Sequence, residues 1–404
     1  MRVPIDEDFA FDPTDPAQSK DWERLRRIRR ERPVCRPADN VVLTSRHAAT
    51  RAVFVDARNF SSVGDMRAPG VVVPEAESFL GELDAPLHPK IRRVLIKGFT
   101  RSRASDAEPW ARASIRGRIE RLAERNACDL MADLTIPLPG SVSAHVIGVP
   151  DELHDALMGW CDELLHSSWP ATGKTERGVG IEGAFPELAA CLDALIAERA
   201  AAGPEAHDDL LSLMVHTRDD EGWQIGAHHI RTLVVNILAG SLSASYMLGN
   251  LLYRLLDDAD FDATLRAEPA SIPAAVEESL RLEAPVTFLF RTARADAEIG
   301  GCPVQHGEHV MLGIASANRD EEVYEDSEAF RLDRDDPPEH LAFGVGPHIC
   351  LGNHLTRMIG RVLLEEFLDV FAPGQVQLAP DFDWECVDHL QEYGPESLAV
   401  VMAR

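Results

Sequence analysis

Residues 343–352 read Phe-Gly-Val-Gly-Pro-His-Ile-Cys-Leu-Gly and place one cysteine between a glycine-rich turn and a predicted helix. Apolar residues recur at helical spacing over 353–371, so Cys350 precedes a helix start. Free backbone N–H groups and the positive end of the helix dipole stabilise a thiolate there. Gly344 and Gly346 let the chain adopt positive φ, which brings backbone donors close to the sulfur. The pattern indicates a site for an anionic sulfur, with an iron porphyrin as one natural partner. The alternative for any single cysteine is a buried, inert thiol.

This loop resembles the cysteine-ligand loop of the cytochrome P450 family, the haem-thiolate monooxygenases, and the motif is highly specific. The residues that carry the resemblance are Phe343, Gly344, Gly346, His348, Cys350 and Gly352. It implies that Cys350 is the axial ligand of a haem b iron, with Phe343, Gly344, His348 and Gly352 around the cofactor. By motif the resemblance runs from about Asp84 to the C-terminus, and upstream of that by general layout.

Composition is typical of a globular protein with a sizeable core, and it disfavours nucleic-acid partners. The chain has 404 residues with 45% hydrophobic content, and it shows no linker, repeat or low-complexity stretch, so we expect one domain over 1–404. The net charge of −27 disfavours binding to nucleic acid or anionic membranes. The seven cysteines are scattered without a Cys-x-x-Cys pair, which indicates a reducing cytoplasm. No signal peptide or membrane span is predicted.

The secondary-structure pattern is mainly helical with a minor β component. Helices are predicted over 17–32, 45–55, 90–98, 105–125, 151–166, 186–202, 226–257, 271–283 and 353–371, and strands over 40–44, 286–290, 308–312 and 398–402. The helix at 226–257 is apolar on most faces, as in a helix through the protein centre. The resemblance implies the P450 fold: an α+β architecture, with this long helix over the haem and small β-sheets near the N- and C-terminal parts.

Haem carries two propionates, which require cationic partners. His88 and Arg92 are four residues apart and share a helical face if a helix starts near Pro86. The resemblance implies that both bind the propionates, together with Arg291 and His348. Guanidinium groups suit carboxylates because they bind them bidentately.

Glu278 and Arg281 lie one helical turn apart, and the family has its Glu-x-x-Arg helix at this place. Glu23 and Arg26 have the same spacing near the N-terminus, so the spacing alone is weak. The resemblance adds Arg334 to the later pair and implies a structural network behind the haem.

The central helix carries Ala239-Gly-Ser-Leu-Ser-Ala244. In the family this stretch lies over the iron on the oxygen side, where Ala239 and Gly240 leave room for dioxygen. An acid and a threonine normally organise the waters that deliver protons. Here Leu242 stands at the acid's place and Ser243 at the threonine's, so a hydroxyl remains without a carboxylate. The alternative for Ser243 is a bond back to a helix carbonyl.

The resemblance implies an apolar pocket for a lipophilic small molecule, lined by Leu238, Leu242, Val286, Phe288 and Leu289. Arg67, in the loop 62–80, is a candidate partner for a substrate carboxylate. Soluble bacterial members receive electrons from a ferredoxin. A run of basic residues without acids lies between Lys90 and Arg103, and the candidate docking residues are Arg93, Lys97, Arg101 and Arg357.

We therefore expect a cytoplasmic monooxygenase that inserts one oxygen atom of O2 into a lipophilic substrate, with electrons from NAD(P)H through a reductase and a ferredoxin. Two alternatives follow from the missing acid. One is a peroxide-driven peroxygenase or a non-hydroxylating oxidase, although no arginine of the kind that peroxide-using relatives carry lies between Thr232 and Arg254. The other is a non-catalytic haem sensor. The substrate, its regiochemistry, the native redox partners and the oligomeric state do not follow from the sequence.

Overall fold

The computed structural model describes residues 4–64, 71–334, 337 and 339–403. The α-helices are α1 (Pro16–Ser19), α2 (Trp22–Glu31), α3 (His47–Val55), α4 (Leu87–Leu95), α5 (Arg101–Ala123), α6 (Pro137–Ile147), α7 (His154–Leu165), α8 (Trp169–Thr172), α9 (Gly180–Ala184), α10 (Pro186–Ala202), α11 (Leu210–His216), α12 (Ala227–Ala239), α13 (Ser241–Asp257), α14 (Ala259–Ala267), α15 (Ile272–Leu282), α16 (Ile314–Ala317) and α17 (Asn353–Val370). Single 3₁₀ turns include Leu80–Glu82, Ile96–Gly98 and Gly346–His348.

The strands are short and belong to several small sheets. They are β1 (Val34–Ala38), β2 (Val41–Thr44), β3 (Phe60–Ser61), β4 (Ala127–Asp129), β5 (Lys174–Thr175), β6 (Gly178–Val179), β7 (Leu289–Ala293), β8 (Ala297–Ile299), β9 (Cys302–Val304), β10 (His309–Leu312), β11 (Val376–Leu378) and β12 (Ala399–Met402). The predicted mainly helical class with minor β structure is confirmed.

The larger sheet joins the two halves of the chain. Its strand order is β1-β2-β10-β7-β3, and β10 pairs with β2 in parallel, with His309 opposite Val41. The other pairs in this sheet are antiparallel. A second sheet, β11-β12-β4, brings a strand from the middle of the chain to the C-terminal strands. The predicted strands at both ends of the sequence are therefore partners in shared sheets.

Two differences from the predicted elements have local causes. Helix α6 was missed because Pro137 and Pro139 open it, yet proline is tolerated in the first helical turn, where its missing N–H has no partner to lose. The strand predicted over 286–290 instead begins at Leu289, and Val286 forms only an isolated bridge with Glu392.

The helical core surrounds α12 and α13. Helix α13 packs against α6, α15 and α17, and α5 lies along α17. An ion pair from Arg112 to the buried Glu366, at 2.6 Å, links α5 to α17. The span Ala227–Asp257 is long and apolar enough to cross a membrane by length and composition alone, in contrast to the expectation that no segment would be. However, 61% of its most apolar window is buried inside the protein, as expected for a core helix.

Candidate active site

Cys350 lies at the end of a tight loop that passes the C-terminal end of α3. The Cys350 N–H donates to the Phe343 carbonyl at 2.8 Å, which ties the two ends of the loop together. Gly346 has a φ of +78°, and a Cβ there would lie 3.1 Å from the Phe54 carbonyl oxygen. Only glycine fits this close approach without strain. Helix α17 begins at Asn353, so the predicted position of the cysteine before a helix start is confirmed.

The side chain of Cys350 opens into a cavity of about 310 Å³. The surface of Cys350 is accessible through this cavity, although its sulfur lies deep inside the protein. Burial raises the pKa of the Cys350 thiol, whereas backbone N–H groups of Gly352 and Asn353 and the charges of Arg92 and Arg357 lower it. The donors that stabilise a thiolate are thus in place, and a cation in the cavity would favour the ionised sulfur further.

Four side chains that carry or can accept a positive charge line the same cavity: His88, Arg92, Arg291 and His348. The two imidazoles are stacked with ring centroids 4.0 Å apart. Burial, followed by nearby positive charge, lowers the pKa of His88 to about 4 and that of His348 to about 3. His88 Nε2 and His348 Nδ1 are buried and find no hydrogen-bond partner among the described residues. Such a cluster is complementary to an anionic group, because an anion would satisfy both the charge and the open donors.

The central helix is interrupted where it lines the same cavity. Helix α12 ends at Ala239 and α13 begins at Ser241, because Gly240 has a ψ of −14°. A Cβ at Gly240 would lie 3.1 Å from the Asn236 carbonyl oxygen, so glycine favours this local distortion. The Ser243 hydroxyl donates to the Gly240 carbonyl at 3.1 Å. Gly240, Ser241 and Ser243 line the cavity.

Comparison with known proteins identifies the family. A family model described as Cytochrome P450 matches residues 175–380. Steroid C26-monooxygenase of Mycolicibacterium smegmatis is 31% identical over 383 residues, which cover 94% of this chain and 92% of that protein. The chain belongs to the cytochrome P450 family. Erythromycin C-12 hydroxylase of Saccharopolyspora erythraea is 31% identical over 378 residues, 92% of this chain and 91% of that protein. The solved structure of the P450 CYP109Q5 from Chondromyces apiculatus has a TM-score of 0.84 at 25% identity and covers 98% of both chains. The protein is an enzyme with the P450 fold and named monooxygenases among its relatives.

The residues of the cavity fit the haem cofactor of a P450. Cys350 supplies a single sulfur, which would suffice to hold a haem because the porphyrin itself provides four ligands to the iron. The described part of the chain has no group of three or more His, Cys, Asp or Glu side chains that would hold a bare metal ion. The open donors of His88 and His348, with two arginines beside them, match the propionates.

All residues predicted to bind the haem line the cavity, namely His88, Arg92, Arg291, Phe343, Gly344, His348, Cys350 and Gly352. Arg92 also donates to the Ile349 carbonyl at 2.6 Å, which links α4 to the cysteine loop. Their individual roles at the cofactor remain predictions.

The predicted substrate pocket needs correction. Val286 and Leu289 line the cavity, but Leu238, Leu242 and Phe288 are outside its lining in the described structure. Leu238 and Leu242 lie one turn apart on the helix face opposite Gly240 and pack into the core. Phe288 is adjacent to Leu289 in an extended segment, so its side chain points to the other face and is buried. Ala239, predicted beside dioxygen, is half-buried and does not line the cavity either. Arg67 lies outside the described residues.

The sequence reading missed several lining residues. Phe54, Leu80, Pro139, Ser143 and Asn236 line the cavity as well. A signal existed for Asn236, which is the polar residue in the run Leu233–Leu238 and lies one helical turn before Gly240. No local pattern marks the others, because chain-distant packing brings them to the cavity.

Glu278, Arg281 and Arg334 meet as predicted. The Glu278 carboxylate accepts from Arg281 Nε and Nη2 at 2.8 and 2.7 Å, and from Arg334 Nε at 2.9 Å. The backbone N–H of Arg331 adds a further bond at 2.9 Å. Arg281 also donates to the carbonyls of Asn318, Ser327 and Ala329. This buried network joins α15 to the segment that leads towards the cysteine loop.

The basic surface differs from the prediction at one residue. Arg93, Lys97 and Arg101 are exposed, and none has an ion pair within the described ranges of the chain. Arg357 instead pairs with Glu277 at 2.6 Å, and its guanidinium lies 4.5 Å over the Phe343 ring. Its guanidinium is therefore already ion-paired, and it packs against the cysteine loop.

Proposed function

We propose that this P450 inserts one oxygen atom of O2 into a lipophilic small molecule, with electrons from NAD(P)H that arrive through a reductase and a ferredoxin. The observation that carries the proposal is the Cys350 thiol, which opens into a cavity with a cationic cluster and apolar walls. The cofactor is haem b, because the sequence lacks the Cys-x-x-Cys-His motif for covalent attachment. The seven free cysteines favour a cytoplasmic location.

Each part of the cavity has a defined task in this reaction. Haem bound through a thiolate supplies the oxygen-activating redox chemistry. Cys350 would hold the cofactor through its sulfur, and the N–H groups of Gly352 and Asn353 stabilise the charge on that sulfur. His88, Arg92, Arg291 and His348, which line the cavity together, would bind the propionates. Val286 and Leu289 exclude water and provide apolar contact to the substrate.

The ferredoxin docks on the exposed basic surface of Arg93, Lys97 and Arg101. These cations lie close to the helix that carries Arg92, whose Nη2 donates to the carbonyl next to Cys350. An acidic partner would therefore approach the sulfur side of the cofactor, guided by charge attraction.

Thiolate ligation is tested by carbon monoxide binding to the dithionite-reduced holoprotein. Wild type should give the strongly red-displaced Soret band of a thiolate-ligated haem, and Cys350→Ser should lose it. Cys302→Ser is the matched control, since Cys302 is half-buried and lies outside the cavity. A red-displaced band in Cys350→Ser, or its absence from folded wild type, contradicts the proposal.

A peroxide-driven reaction is the second candidate, and two observations favour it. The residues described along the cavity include no aspartate or glutamate, and Ser243 directs its proton to the Gly240 carbonyl. Proton delivery to bound dioxygen thus lacks the usual carboxylate, whereas hydrogen peroxide brings its own protons. Product formation with peroxide alone, at rates that match the ferredoxin-supported reaction, would establish this second mode.

A further inference from the structure

The side chain of Asn236 presents a directed donor to the cavity. Its Oδ1 accepts from the Leu80 N–H at 3.0 Å, which joins α12 to the 3₁₀ turn Leu80–Glu82. Because the oxygen is engaged by a backbone donor, the orientation of the amide is determined and its NH2 is the remaining group. In the described structure this NH2 has no acceptor, and Asn236 lines the cavity.

The cavity that Asn236 lines has apolar walls beside the cationic cluster described above. Leu80, Ile237, Val286 and Leu289 are among the apolar residues of its lining. Ser241 and Ser243 are less available to donate to a ligand, because each hydroxyl already donates to the carbonyl of the residue three positions earlier. Ser143 also lines the cavity, but a hydroxyl both donates and accepts, so it does not select between the two kinds of ligand group.

We propose that Asn236 selects substrates that carry a carbonyl-type oxygen, as in a ketone, ester or lactone, on an otherwise apolar skeleton. The inference rests on the proposed function, because it specifies the substrate class of the same cavity. The amide NH2 donates to the carbonyl oxygen and positions the skeleton relative to the cofactor. A hydrocarbon of the same shape leaves the NH2 desolvated without an acceptor, which weakens its binding.

The test measures dissociation constants from ligand-induced shifts of the Soret band, without turnover. The probes are three matched sets: camphor, borneol and bornane; 2-adamantanone, 2-adamantanol and adamantane; and 5α-androstan-3-one, 5α-androstan-3β-ol and 5α-androstane. For wild type we expect each ketone that fits to bind about five- to tenfold more tightly than its hydrocarbon. Val286→Ala is the control, since loss of an apolar contact should weaken all members of a set alike.

Two substitutions of Asn236 distinguish the effect of losing its NH2 donor from the effect of destabilising the protein. With its carboxyl group ionised, Asn236→Asp keeps an oxygen for the Leu80 N–H but replaces the donor with an acceptor, so at a pH above the pKa of that carboxyl the alcohol should bind more tightly than the ketone. Asn236→Leu should remove the preference between ketone and hydrocarbon. Thermal unfolding of each holoprotein shows whether the contact to Leu80 survives in Asn236→Asp.

The outcomes distinguish the inference from the proposed function. If wild type binds ketones and hydrocarbons equally, or if Asn236→Asp keeps the ketone preference, Asn236 does not select the substrate. The proposal of a site for lipophilic substrates is unaffected by that result. If wild type shifts its spectrum with none of the compounds, the lipophilic-substrate proposal fails, and the role of Asn236 fails with it.

Discussion

Removal of the Glu278 carboxylate should destabilise the protein far more than removal of an equally spaced surface carboxylate. Glu278 is 5% exposed, and its partners Arg281 and Arg334 are 2% and 9% exposed. In Glu278→Ala both guanidiniums lose their only carboxylate within the described network. Breaking a buried pair from one side costs about 3–5 kcal/mol, because the remaining charge stays desolvated. This is a large share of the roughly 5–15 kcal/mol by which domains are stable.

Glu23 provides the matched control. It has the same spacing to Arg26, but the two side chains are 77% and 40% exposed. Glu23→Ala should therefore cost about 0–1 kcal/mol. Urea unfolding followed by far-ultraviolet circular dichroism, at equal haem content, gives both free energies of unfolding.

A double-mutant cycle tests the coupling directly. Once Glu278 is alanine, Arg334→Ala should cost less than it does in wild type, because the two side chains share one network. If the losses of unfolding free energy in Glu278→Ala and in Glu23→Ala differ by less than about 1 kcal/mol, the argument from burial is refuted.

Three further predictions address turnover, pH and docking. Ser243→Ala removes the hydroxyl of this stretch that lines the cavity and should lower the product formed per NAD(P)H consumed, whereas Leu242→Asp should not raise it, because the side chain at 242 packs into the core. Although burial opposes its ionisation, hydrogen bonds from His340 and Arg357 hold the pKa of Glu277 at about 2, below its ordinary 4.5. Its contribution to stability is therefore present above pH 4.5 and lost as the pH falls towards 2. Glu277→Gln should flatten acid unfolding curves in that window, by less than about 1 kcal/mol since the side chain is 41% exposed. Lys97→Glu should weaken ferredoxin-supported reduction severalfold at low salt.

Each of these has a control and a contrary result. If Ser243→Ala leaves the product formed per NAD(P)H unchanged, the Ser243 hydroxyl has no part in proton delivery; a higher ratio in Leu242→Asp would contradict the placement of this side chain in the core. A steeper acid unfolding curve for Glu277→Gln would contradict the sign of the pKa shift. Lys174→Glu alters an exposed lysine on β5, away from the basic run, and should leave reduction unchanged. An equal loss in Lys174→Glu and Lys97→Glu would indicate a general charge effect without a docking site.

The sequence predicted most helices because their apolar spacing is a local property. Residues 186–202 are helical as predicted, and 353–371 differs by one residue at its end. Helix α6 was not predicted because prolines open it. Strand β7 begins later than predicted because Val286 forms only an isolated β-bridge with Glu392, which is distant in sequence. The continuous helix expected over 226–257 is interrupted at Gly240, where backbone geometry overrides the apolar pattern.

The amino-acid sequence, through its resemblance to the family, predicted which residues come together: Cys350 with His88, Arg92, Arg291 and His348 at one cavity, and Glu278 with Arg281 and Arg334. The cysteine loop and the Glu278–Arg281 pair depend on residue type and short spacing. Tertiary structure decided which side of an element meets the cavity. It brought Asn236 and Leu80 together across the fold and turned Leu238, Leu242 and Phe288 into the core. It also paired Arg357 with Glu277 and withdrew it from the docking surface. Local periodicity defines the faces of a helix or strand, but the partner of each face is set by contacts between distant segments.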